Sequence, residues 1–389
     1  MRVFYNFVVS LLVMSPIFIS IGTGFDISFD RVGGGGYDLF IISIPLSIII
    51  IIAIAFSLYK DIFYSIINCK IETVFLAVGV VLNFSLFFIY SEGSGILTAI
   101  KTTLQILFFF FFLHVFSIYF EKNLDKFRNA ENVIIFYPLA IITFISLFSS
   151  LVLVMDDFFL ISQLVIYDFR QYYAFIFVIT MGVFHSRGLC YFILATVFSV
   201  YFSILSGNDT SLAISLAIVL IVIVDFLMQI KYRKILLNII IFSVVVFALL
   251  SFFAIDFYLE NINKHPGLVA RREVVIQFFE SFNSLSIVFP FFSHSHGLSV
   301  GYHNQFIVIY NTLGLIGFLL YYFIFFKRIN YLVYKVRMVK VSIVLVVILG
   351  GITVIPTIHF YTAIFIAYIL SFYIVLYSVP KKCNTINSV

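Results

Sequence analysis

A chain of 389 residues is long enough for two or three soluble domains, but its composition excludes that reading. Hydrophobic residues make up 63% and charged residues 11%, where soluble chains carry roughly 45–50% and about 25%, so a soluble body of this size has too few charges to cover its surface. The net charge of +5 is therefore read first by the side of a membrane on which the charges fall.

Apolar runs of about 17–25 residues recur along the chain and mark candidate spans. They lie near 3–21, 38–59, 73–90, 96–120, 133–155, 171–186, 188–205, 211–230, 235–255, 304–326, 341–358 and 359–378. The expected fold is an all-α polytopic integral membrane protein of about twelve transmembrane helices, one membrane domain over residues 1–389. Only Ser186, Arg187 and Gly188 separate the sixth run from the seventh. The turn around Pro356 and His359 separates the last two. The first run follows a single Arg2. It is long for a signal peptide, and its removal would reverse the parity of every later loop, so it reads as retained.

Twelve spans put both termini on one side. With that side taken as the cytoplasm, most of the 23 basic residues fall there, including Lys60, Lys122, Lys126, Arg128, Lys231, Arg233, Lys327, Arg328, Arg337 and Lys340. Asp26, Asp30, Glu92, Asp156, Asp168, Asp209, Glu260 and Glu280 fall on the other side. This is the positive-inside bias, and it favours an N-in, C-in arrangement. The three cysteines, Cys69, Cys190 and Cys383, have no metal-site or disulfide spacing.

Residues 256–303, between the ninth and tenth runs, form much the longest external loop, and chemistry concentrates on such loops. Pro266 can open a helix there, since the first turn has no use for its missing N–H. Val275, Phe278, Phe279 and Phe282 then share one face, with Glu273, Gln277 and Glu280 opposite. The pattern predicts a short amphipathic helix at the membrane surface. Arg271 and Arg272 stand near its N-terminal end. They read either as interfacial residues reaching for headgroups or as a phosphate clamp, because guanidinium binds phosphate oxygens in pairs and keeps its charge.

Farther along, His294, His296 and His303 lie within ten residues, but no carboxylate or cysteine completes a metal site. Gly297 and Gly301 allow close approach of backbone to a ligand. At the membrane re-entry, a neutral His303 imidazole can accept or orient a hydroxyl proton. A single interfacial histidine is also commonly structural.

His303-Asn304, nine intervening residues and Gly314-Leu315-Ile316-Gly317 resemble the His-Asn, nine-residue, Gly-x-x-Gly signature of the O-antigen polymerase and ligase superfamily. In that family the element joins a large periplasmic loop to the next span, with an arginine-bearing helix upstream, as here. The resemblance in detail covers about 265–320. Length and the 52 Phe and 24 Tyr look more like the polymerases than the ligases. Two departures stand out. Val275 or Ile276 replaces the aromatic residue that follows the loop arginine, and the Ser-Arg of a middle span matches either Ser186-Arg187 or, without its arginine, Gly207-Asn208-Asp209-Thr210.

The resemblance implies glycosyl transfer at the periplasmic face of a bacterial inner membrane. The donor is a growing glycan on undecaprenyl pyrophosphate and the acceptor a hydroxyl of the next lipid-linked repeat, with no metal or other cofactor and no nucleic-acid partner. A chain-length regulator and the flippase are the partners it implies in the same membrane. Arg271 and Arg272 then stabilise the pyrophosphate leaving group, and His303 activates the acceptor hydroxyl. Arg170, Asn304, His296 and Gly301 hold substrate, with Arg170 alternatively paired to Asp168. Gly314 and Gly317 let their span pack closely on a neighbour. The rival readings are a ligase with the same donor and a flippase or transporter. Lys101, His114 and Asp225 are the intramembrane candidates for transport.

Overall fold

The structure is a computed structural model of the chain. It describes residues 4–13, 48–68, 76–79, 81, 96–127, 137, 190, 192–194, 196–197, 200–201, 209–228, 276, 304–330, 337–353 and 360–377. Among the described residues all regular structure is helical. We number the helices α1 (Phe4–Val13) and α2 (Ile48–Ser57), α3 (Tyr59–Asn68), α4 (Ile96–Lys122), α5 (Leu124–Phe127), α6 (Asp209–Met228), α7 (Gln305–Asn330), α8 (Arg337–Thr353) and α9 (Phe360–Tyr377). Two stretches, Thr103–Lys122 and Thr312–Asn330, are long and apolar enough to cross a membrane, and shorter apolar helices accompany them. This is consistent with a membrane protein.

The centre of the described structure is α9. Its side chains are buried all round from Ala363 to Ile374, as expected of a helix that is apolar on every face. Its principal neighbour is α4. On α4, Ile106, Phe109, Leu113, Phe116 and Phe120 recur at helical spacing and are buried together. Phe116 and Phe120 meet the Tyr368 ring edge-on, with centroids 5.3 Å away in both cases. Ala363, Ala367 and Ser371 make a small-residue row on α9 that permits a close approach. Ser371 Oγ donates to the Leu113 carbonyl at 2.9 Å.

Polar contacts tie α1 to this pair. Tyr119 Oη donates to Asn6 Oδ1 at 3.4 Å, and Ser10 Oγ is hydrogen-bonded to Tyr368 Oη. A buried tyrosine hydroxyl needs such a partner. Tyr368→Phe is expected to lower stability by about 0.5–1.5 kcal/mol, because Ser10 is left buried without its bond. The double variant Ser10→Ala/Tyr368→Phe should recover most of that loss. A double-mutant cycle of unfolding in detergent checks this, and additive losses would remove the bond from the account.

α6 packs on α8, and α7 touches α4, α8 and α9. On α6, Ile214, Ser215, Ile218 and Val222 face inward, while Leu216, Leu220 and Ile223 are exposed. A helix apolar on its outward face suits lipid better than water. Residues 60–72 fall between apolar runs and predict a loop, but Tyr59–Asn68 forms α3, whose Asp61 pairs with Lys122 at the end of α4. The pair is solvent-accessible on both sides, so its contribution to stability is small.

Candidate functional site: a helical hairpin at Gly314

The apolar run at 304–326 predicts one straight span. Its helix α7 instead reverses at Gly314, which has φ 72° and ψ 176° inside otherwise helical backbone. Residues seventeen apart in a straight helix are separated by about 25 Å along the axis. Yet Gln305 Nε2 donates to Tyr322 Oη at 3.2 Å. Phe306 stacks on Tyr322 with centroids 5.3 Å apart, and Tyr310 meets Phe318 at 6.4 Å. Each pair is centred on Gly314 or within a residue or so of it, so 305–313 folds back against the first part of 315–330.

The chemistry of the turn explains the residues in it. The φ/ψ pair of Gly314 lies in a region that is essentially glycine-only. At Gly317 a Cβ would collide with the Cβ of Leu313. The first arm spans nine residues, about 13 Å of helix. It starts at Asn304, whose Oδ1 accepts from the backbone N–H groups of Phe306 at 3.0 Å and Ile307 at 3.2 Å. That is an N-cap, which satisfies two of the donors a helix start leaves open. Asn304→Ala should cost at least about 1 kcal/mol through the lost cap, measurable as a lower midpoint in thermal unfolding. An unchanged midpoint would show that the cap is not needed.

The fully buried Gln305 and the buried Tyr322 join the two arms. Gly351 of α8 lies against Gln305 and Phe306 of the first arm, since a Cβ there would stand 3.2 Å from Phe306 Cε2 and 3.5 Å from Gln305 Cβ. Sequence reading misses the Gln305–Tyr322 pair. The available signal is two polar groups set nearly symmetrically about a glycine in an apolar run.

Of the residues singled out in the sequence, the structure describes Asn304, Gly314 and Gly317 and brings them into this one element. At Gly317 the close approach is to Leu313 of the same segment. Asn304 has its side-chain oxygen engaged in the cap. His303, Arg271, Arg272, Arg170, His296 and Gly301 lie outside the described residues, as does the amphipathic helix apart from a helical, exposed Ile276. Among the described residues no group of three or more His, Cys, Asp or Glu could hold a metal ion. His114 on α4 has its Nε2 buried with no hydrogen-bond partner among the described residues. Comparison with protein-family models, with curated proteins and with solved structures finds no match for this chain.

Proposed function

We propose that the chain is an O-antigen polymerase of a bacterial inner membrane. The observation that carries the reading is the His303-Asn304, nine-residue, Gly314-x-x-Gly317 element at the end of the long loop 256–303. The hairpin supports it by giving the element a physical purpose, since the nine residues are an arm and the glycines its turn. In the proposed reaction the acceptor hydroxyl oxygen attacks the anomeric carbon of the donor glycan. The bond from that carbon to phosphate breaks, and undecaprenyl pyrophosphate departs with the electron pair. His303 takes the hydroxyl proton, and Arg271 and Arg272 meet the charge that develops on the pyrophosphate. Arg170, Asn304, His296 and Gly301 serve on the substrate side. The partners are lipid-linked repeats, with a chain-length regulator and the flippase in the same membrane.

Deletion of the gene in its host, with lipopolysaccharide resolved on a gel, tests this. A core carrying one repeat, restored to a ladder by the wild-type gene, is the expected result. Core without any repeat would overturn it in favour of the ligase, or of the flippase if lipid-linked repeats remain on the inner face. The one observation that favours transport is the unpartnered His114 Nε2 within a span-length helix. For a polymerase, His114→Leu should leave the ladder intact, whereas loss of all repeats from the core in that variant would restore the transport reading.

A further inference from the structure

The hairpin can be placed in depth with two independent helical rulers. At the basic end of α7, Lys327 Nζ lies 5.5 Å from the Phe323 ring, and Asn330 Oδ1 accepts from Lys340 Nζ of α8 at 2.9 Å. The positive-inside bias puts this end at the cytoplasmic face. Along α7, Tyr322 is eight residues above Asn330, about 12 Å. Along α8, Gly351 is eleven residues above Lys340, about 16 Å. The rulers meet, because Tyr322 bonds Gln305 and Gly351 packs against Gln305 and Phe306. Gly314 is a further eight residues above Tyr322, about 24 Å from the basic end, in a hydrocarbon core of about 30 Å. The turn therefore approaches the outer surface, and the start of the first arm hangs near half depth.

The side chains at that start are those a buried helix start needs. Open N–H groups in hydrocarbon cost several kcal/mol each, and the Asn304 cap occupies two of them. Gln305 is fully buried and spends its amide on the Tyr322 hydroxyl. A helix start at the outer surface would have water for both tasks.

We propose that residues 304–330 form a re-entrant hairpin that holds Asn304 and Gln305 near mid-membrane, and that Gln305 and Tyr322 are positioning residues for the site at the start of its first arm. The geometric part stands by itself, and the positioning part rests on the polymerase reading. The acceptor hydroxyl must then be drawn below the headgroup level to react, where water is scarce. The hydrogen bond between the arms fixes how far.

Spin labels at Phe306→Cys and Phe323→Cys, in the full chain with Cys69, Cys190 and Cys383 changed to Ser, test the geometry. A straight helix separates these positions by about 25 Å, whereas the hairpin gives strong dipolar broadening from close approach. Phe306→Cys by itself should be protected from a membrane-impermeant thiol reagent applied from the outer side, whereas a straight helix would carry it about 36 Å from the basic end, past the hydrocarbon core. A separation near 25 Å, or a Phe306→Cys that reacts, would overturn the hairpin even if the host makes a full ladder. For the positioning role, Tyr322→Phe and Gln305→Leu should lower kcat of the reconstituted enzyme by about tenfold to hundredfold with KM unchanged. Gln305→Glu, which can accept from the tyrosine hydroxyl in place of donating to its oxygen, should retain most of the rate. Equal rates at equal folded protein would overturn that role, while a wild type that polymerises nothing would sink the polymerase and leave the hairpin standing.

Discussion

Gly317→Leu is expected to remove most of the folded protein from the membrane. A Cβ at this position already collides with Leu313 Cβ, which is the stem of a side chain and not its flexible end. Relief requires the two arms of α7 to move apart, and Leu313 is part of the buried core. Overpacking of this kind costs about 1–3 kcal/mol even where the backbone can yield. Here the opening would also break the bond between Gln305 and Tyr322, whose loss leaves two buried polar groups at about 1–3 kcal/mol each. Gly314→Ala acts through the backbone alone and should cost about 1–3 kcal/mol, since φ 72° with ψ 176° is nearly closed to a residue with a Cβ. Marginal stability makes either loss visible. The yield of monodisperse protein in detergent, with its unfolding midpoint, measures both. A Gly317→Leu protein with wild-type yield and midpoint would show that the arms do not touch.

His303→Ala should abolish the ladder while leaving the amount of protein in the membrane unchanged. Proton transfer by a positioned imidazole is worth about 10²–10⁴ in rate, enough to leave a core with one repeat. Arg272→Ala should act at the other end of the bond being broken. Removing a fixed charge or donor from a developing anion costs about 10²–10³, and Arg271 remains beside it in the sequence. Arg272→Lys keeps the charge but loses the paired donor geometry, so it should recover only part of the rate. A pulse of labelled repeat units, followed as chain growth in membranes, reads these differences. A full ladder from His303→Ala and Arg272→Ala alike would strip both residues of their roles.

The long apolar helices are legible in the sequence. The fourth apolar run, 96–120, is the helix Ile96–Lys122, and the twelfth, 359–378, is the helix Phe360–Tyr377. Hydropathy suffices there because each helix is apolar on all faces and is ended by a charge or a turn. Helix α8 begins ahead of the eleventh apolar run, 341–358, at Arg337, because a long basic side chain can extend to the surface from the first turn. The reversal in α7 is not legible. An apolar count cannot distinguish one long crossing from two arms folded together, and the deciding quantity is a single φ at Gly314. The partner of Gln305 is invisible for a related reason, as seventeen residues lie outside any helical period. The roles proposed for the arginines and His303 rest on the signature alone, because the chemistry of an isolated basic residue at an interface is ambiguous.

The full burial of α9 has a consequence for biosynthesis. This helix leaves the ribosome after every described helix it touches, so α4 must wait in the bilayer with Phe116 and Phe120 turned to lipid and the Ser10 hydroxyl without its Tyr368 partner. Of the described helices, the last to be made is thus the one that closes the core. A nonsense codon between Tyr322 and Phe360 should yield a chain that membrane-bound proteases clear, even though all the residues proposed for chemistry have already been translated.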